Sequence, residues 1–254
     1  MTIRICCIIC LLLVAAAAMA GEHDKEVSMK DAPLYSVRHI GGEIDVKAFD
    51  SPLWEKAEPA RWYLAGTDLP PSSPTEARLL WSDNYLYVRY KAWDKDVFAL
   101  HTERDSHTCE DDVLELFFKT DPKGEAYYNF EINALGTVYD SYQPRRSFAG
   151  GDHRWSRWNS EGLKTAVYVK GTINDPSDED EYWILQVALP FRDLEIPGKK
   201  APEPGDIWLY LLARYDYSVY LPGKGLELSA TSVIECEPVS YHASEYWNLM
   251  KFIK

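Results

Sequence analysis

Side chains alternate along an extended segment, which puts Leu114, Leu116 and Phe118 of VLELFFK (113–119) on one face and Val113, Glu115 and Phe117 on the other. The same rule sets Tyr128, Phe130 and Ile132 of AYYNFEIN (126–133) against Asn129, Glu131 and Asn133. Two such strands side by side would show Glu115, Asn129, Glu131 and Asn133 outward. That face reads either as an ordinary solvated surface or as a saccharide site, because sugar hydroxyls pair with acids and amides while sugar C–H faces pack on Trp or Tyr rings. Aromatic candidates are Trp155 and Trp158 in DHRWSRWNS (152–160), with Tyr142, Arg145, Arg146 and Tyr241 beside them in kind. Arg214 ends a strand that carries Trp208, Tyr210 and Leu212, and it reaches the same surface if that strand pairs nearby.

Glu110, Asp111, Asp112 and Glu115 could supply the two carboxylates of a glycoside hydrolase, but in a chain with 40 acids such proximity is cheap. The loop Asn174 to Asp180 offers several hard oxygens in seven residues, with Asp175, Asp178 and Asp180 as calcium ligands. A solvated hairpin tip explains the same residues. G-x-S-x-G, H-E-x-x-H, Walker A and G-x-G-x-x-G are absent, and so is the C-x-x-C-H of covalent haem attachment. The six histidines, at 23, 39, 101, 107, 153 and 242, are too scattered for a zinc site. No organic cofactor is expected.

The elements that must position these residues have a period of two. YLYVRYKAW (85–93) sets Leu86, Val88, Tyr90 and Ala92 against Tyr85, Tyr87, Arg89 and Lys91, the pattern of a half-buried strand. Similar segments lie at 113–119, 126–133, 137–142, 164–170, 182–189 and 207–215. Turn-rich stretches at 82–84, 121–124, 174–180 and 196–206 separate them. The expectation is an all-β, antiparallel β-sandwich forming one domain over 34–254, with a barrel as the less favoured form.

Residues 3–20 contain one charge, Arg4, and close on Ala18-Met19-Ala20, the pattern of a secretory signal peptide cleaved near Ala20. Its apolar core is shorter than the ~20 residues a spanning helix needs. The protein is therefore expected to be secreted or periplasmic, with 21–33 as a tether. Cys6, Cys7 and Cys10 leave with the signal, and the remaining Cys109 and Cys236 are expected to form a disulfide in an oxidising compartment. The net charge of −13 excludes a general nucleic-acid binder, which needs a basic face, and no second apolar run supports membrane insertion. Nine Trp and 17 Tyr exceed what a core requires and favour a binding surface.

Taken in order, GGEIDVKAFDSPLW (41–54), LLWSDNYLYVRYKAWD (79–94), CEDDVLELFF (109–118), YYNFEINALGTVYD (127–140), GLKTAVYVKGTINDPSDEDEYWILQVALPF (162–191), the Trp208 to Arg214 strand and YHASEYWNLMKF (241–252) resemble carbohydrate-binding module family 9 and the related DOMON-like, immunoglobulin-like sandwiches. The resemblance implies a β-sandwich with structural calcium that binds a saccharide or polysaccharide, often beside a glycoside hydrolase. It also implies a sugar held between two tryptophans, one directly before the acidic E-x-D segment and one shortly before the last strand. Here those positions are Cys109 and Ser240-Tyr241. The family's acidic sugar ligand matches Glu115, and its arginine in the next strand is replaced by Glu131, so Trp155, Trp158 and Tyr241 are the aromatics left to form a platform.

The leading expectation is a non-catalytic, exported carbohydrate-binding protein. Its rivals are a DOMON-like haem or redox subunit, since related sandwiches hold haem without covalent attachment, and a glycoside hydrolase or its accessory subunit.

Overall fold

A computed structural model describes residues 32–146, 158–221, 223 and 225–254. Twelve strands make up nearly all of its regular structure: β1 Leu34–His39, β2 Tyr63–Leu64, β3 Thr75–Trp81, β4 Tyr85–Trp93, β5 Val113–Lys119, β6 Tyr127–Asn133, β7 Val138–Gln143, β8 Lys164–Lys170, β9 Tyr182–Pro190, β10 Ile207–Tyr217, β11 Leu226–Ala230 and β12 Asn248–Ile253. They run in the order β7-β6-β5-β10-β12-β1-β3-β4-β9-β8, with β11 and β2 added beside β10.

This sheet curls so that its two halves pack face to face. The main core takes Leu114, Leu116, Phe118, Phe130, Ile132 and Leu212 from the β5, β6 and β10 half. It takes Ala77, Leu79, Val88, Tyr90, Leu185 and Val187 from the β3, β4 and β9 half. Across the interface the Tyr90 hydroxyl donates to the Glu115 carbonyl at 2.8 Å. The expected all-β sandwich is the observed fold, and each of the seven segments read from the alternation is a strand. One amendment concerns direction: β1 pairs in parallel with both β12 and β3, so the sandwich is not wholly antiparallel.

Both outer faces carry a second layer. Ile234, Tyr241, Ala243 and Trp247 cover Phe117, Tyr127, Leu209 and Leu211 on the β5 and β10 half. Ile40, Ile44, Val46 and Trp54 cover Leu80 and Tyr87 on the other half. β5, β6, β9 and β10 therefore lie buried on both sides, and the polar side of β5 and β6 is not the open solvated face that alternation suggested.

At the start of the described residues, Pro33 accepts a backbone hydrogen bond from Leu249, and Ala32 packs on the outer layer. The expected signal peptide and the tether up to residue 31 lie outside the described residues. Among the described residues no helix is long and apolar enough to cross a membrane.

Candidate ligand-binding site

Glu115 on β5 and Glu131 on β6 are direct cross-strand partners, and Glu115 is also the partner of Ala213 on β10. Adjacent side chains in such a register stand roughly 4.5 to 5.5 Å apart at Cβ, so the two acids share one spot on the outer face. Glu115 is only 3 % exposed, whereas Glu131 is half-buried and forms the outward side of the pair. Thr108 lies in the short turn Thr108–Glu110 and donates its hydroxyl to Glu131 Oε2 at 3.0 Å. With its amide turned toward Glu131, Asn129 donates to Oε1 at 3.2 Å. No hydrogen bond from a described residue reaches the Glu115 carboxyl.

The rings around the pair come from two layers. Tyr215 follows Ala213 on the same face of β10, and Tyr241 comes from the covering segment, the two meeting edge to face with centroids 5.6 Å apart. The Tyr241 hydroxyl is anchored near Ser229 O at 3.1 Å and Arg214 O at 3.3 Å. Cys109 closes a further side, its carbonyl accepting the Tyr217 hydroxyl at 2.8 Å.

Electrostatics follow from this crowding. Burial, then the neighbouring Glu131 charge, holds the Glu115 carboxyl well above the usual carboxylate range. Burial lifts Glu131 to about 7, and the Thr108 hydrogen bond opposes the rise. Burial with the charges of Glu131, Glu115 and Glu110 pushes the Cys109 thiol to about 12. Tyr215 and Tyr241 are raised by burial first and by Glu115 next.

Three of the site residues expected from sequence, Glu115, Glu131 and Tyr241, thus come together. The others do not. Asn133 donates to His101 O at 2.8 Å and Asp111 Oδ2 at 2.7 Å while its oxygen accepts from Thr137 N, so it ties a turn and is buried away from any ligand. Arg214 pairs with Leu114, not Glu115, and so points to the inner face. There it crosses the sandwich to Thr75 Oγ1 and Trp93 O, with Asp94 at 2.8 Å and Asp216 at 3.3 Å. Trp158 packs on Tyr128 and Phe130, centroids 5.0 and 6.0 Å away, at the edge of the main core and on the opposite face of β6 from Glu131. Arg145 is exposed just past β7, and Trp155 lies outside the described residues.

In the loop expected to hold calcium, Asp175 and Asp180 are engaged by the protein itself and Asp178 is exposed. Asp180 accepts from Val97 N at 2.7 Å and Thr172 N at 2.5 Å, and a Cβ at Gly171 would lie 1.8 Å from its Oδ1, so its carboxylate is packed against backbone. Asp175 closes a local turn on Ser177, and Asn174 clamps both polar groups of Ala99. Among the described residues, the acids that do converge are Asp94, Asp112 and Asp216, with one oxygen from each within 4.8 Å of the others. Asp112 caps Phe98 N and Tyr217 N, both at 2.6 Å. Ser73 and Arg214 lie beside Asp216, yet no hydrogen bond of normal geometry reaches either of its oxygens. Three carboxylates facing one guanidinium are undercompensated, and oxygen-only donors suit a hard cation. These residues fit the calcium that the resemblance implies better than the loop does.

The expected disulfide is also not formed: Cys109 and Cys236 are free thiols. Cys236 packs beside Val239 in the outer layer, its sulfur 4.0 Å from Ser240 O, while Cys109 faces the acid pair. Sequence reading missed Thr108, Tyr215 and the aspartate trio. Tyr215 was accessible to it, being two residues from Ala213 on one strand face. The trio was not, because Asp94, Asp112 and Asp216 come from three separate strand ends.

Residues 64–163, which include both glutamates, match the family model described as Carbohydrate-binding family 9. No curated protein matches the chain. Among solved structures, a candidate carbohydrate-binding protein from Bacteroides uniformis superposes with a TM-score of 0.65 at 17% identity, over 87% of this chain and 99% of its own. A family 9 carbohydrate-binding module from Caldicellulosiruptor kristjanssonii, in complex with cellotriose, gives 0.54 at 13% identity, over 87% and 94% of the two chains. The glucose complex of a family 9 module from the same organism gives 0.53 at 13%, over 87% and 95%. At these identities the structures show the fold, a β-sandwich, and the family model adds that residues 64–163 of this sandwich are similar to carbohydrate-binding family 9.

Proposed function

We propose that this protein is an exported, non-catalytic carbohydrate-binding protein whose saccharide is engaged by the Glu115–Glu131 pair under Tyr215 and Tyr241. The observation that carries this reading is the pair itself: two acids in register, inside the family-matched segment, with aromatic rings from two layers around them. Sugars bound to structural relatives, cellotriose and glucose, support the ligand class.

Placement favours binding over hydrolysis. Glycosidic cleavage needs two carboxyl groups flanking the bond, whereas Glu115 and Glu131 lie side by side in one sheet and approach a ligand from the same side. Export rests on the residue pattern at 3–20, and association with a polysaccharide-degrading enzyme rests on the family resemblance. A structural calcium ion held by Asp94, Asp112 and Asp216 completes the reading. It would supply positive charge to a buried, acid-rich junction of β4, β5 and β10, and it takes no part in contacting sugar.

The test is calorimetric titration of the protein with cellotriose and with a panel of other oligosaccharides, alongside a reducing-sugar assay. Saturable binding without sugar release supports the proposal. Absence of binding across the panel, or release of reducing sugar by the isolated chain, overturns it.

A further inference from the structure

The acid pair has a charge problem that the described protein does not solve. Glu115 has only burial and the Glu131 charge; Glu131 has burial and two neutral donors, the Thr108 hydroxyl and the Asn129 amide. Among the described residues, the facing groups that could titrate or carry charge are the Cys109 thiol, Glu110, Tyr139, Tyr215, Tyr217 and Tyr241, none of them a cation. Arg214, one residue from the partner of Glu115, is turned to the other face and engaged by Asp94 and Asp216. Arg146 is held by Glu245.

Neighbouring carboxyls in a low-dielectric site either share a proton or take up a cation. Glu115 is more than nine-tenths buried, receives no hydrogen bond from a described residue, and stands beside Glu131, the more exposed member of the pair. A neutral sugar brings hydroxyls, which can bond to the pair but cannot neutralise it. A sugar with a protonated amine brings both donors and charge, and its hydrogen bonds to carboxylate are roughly twice as strong as neutral ones.

We infer that the pair selects an amino sugar, a saccharide carrying a free protonated amine, with the ammonium seated between Glu115 and Glu131. This inference rests on the carbohydrate-binding reading above and names the ligand class of that same site. The amine takes the place of the shared proton, so its binding releases protons to solvent and the binding of a neutral sugar does not.

Three β-1,4-linked trimers that differ only at carbon 2 provide the test: the glucosamine trimer with its free amines, its N-acetylated counterpart, and cellotriose. Calorimetry at pH 6, in two buffers of different ionisation enthalpy, reads affinity and proton release together. The expected result is at least tenfold tighter binding of the glucosamine trimer than of either neutral trimer, with proton release only for the amine. Glu131→Gln should reduce that preference below threefold while the exposed control Asp68→Asn, which removes one charge elsewhere, keeps it. Equal or tighter binding of a neutral trimer by the parent overturns the inference and leaves the carbohydrate reading standing. A preference unchanged in both Glu131→Gln and Glu115→Gln places the amine elsewhere and also overturns it. Failure of all three trimers and of the wider oligosaccharide panel removes both.

Discussion

Glu115 and Glu131 face one another across β5 and β6, and the register that pairs them also turns Arg214 to the far side of the same sheet. One sheet thus carries an uncompensated acid pair on its outer face and a crowded arginine–aspartate cluster on its inner face. The two call for different experiments.

The pair should make stability depend on pH. Glu131 titrates near 7 in the folded protein against 4.5 when unperturbed, so unfolding releases its proton between those values. Its stabilising contribution is complete below pH 4.5 and is lost as pH rises through about 7. Urea unfolding should show the parent losing stability relative to Glu131→Gln over that window; parallel pH profiles would contradict the assignment.

Arg214→Ala should be severe. It strands Asp94 and Asp216 in a buried site without their guanidinium, a kind of loss that costs about 3–5 kcal/mol. Denaturant midpoints measure it, and a cost under about 1 kcal/mol would show that the cluster is neutralised in another way.

Calcium, if held at Asp94, Asp112 and Asp216, stabilises the fold by mass action. EDTA should lower the melting temperature of the parent, and Asp216→Asn should abolish the response. Asp180→Ala should lose about 1–3 kcal/mol through its two backbone hydrogen bonds yet keep the calcium response. A calcium response lost in Asp180→Ala but kept in Asp216→Asn would return the ion to the loop.

Trp158→Ala should cost about 2 kcal/mol or more by emptying its place against Tyr128 and Phe130, with saccharide affinity unchanged. Tyr215→Ala should do the reverse, weakening binding about tenfold, or 1.4 kcal/mol. Paired melting and titration data decide between them, and a Trp158→Ala variant that folds normally but no longer binds would move the platform.

Thiol titration should count two free thiols in the unfolded chain, with Cys109 reacting slowly in the native state because burial and three glutamates suppress its thiolate. Two blocked thiols after purification without reductant would restore the disulfide.

Side-chain alternation is a local property, and it was enough to place Glu115 and Glu131 opposite the core residues of their own strands and to group Arg214 with Trp208, Tyr210 and Leu212. It could not say which stripe of β10 meets which stripe of β5. That depends on register between segments about a hundred residues apart, and the pairing of Ala213 with Glu115 settled it. Nor could it show that residues 230–247 fold over the outer face, which converts a surface of acids and amides into an enclosed site where burial changes their protonation. Trp158 and the aspartate trio make the same point: whether a tryptophan is a platform or a plug, and whether acids gather or merely recur, is decided by which distant strands the curled sheet brings together. Sequence by itself determined the β-sandwich and the residue types at its strand faces. Tertiary structure decided which of them share a site, because desolvation and charge coupling act through space and not along the chain.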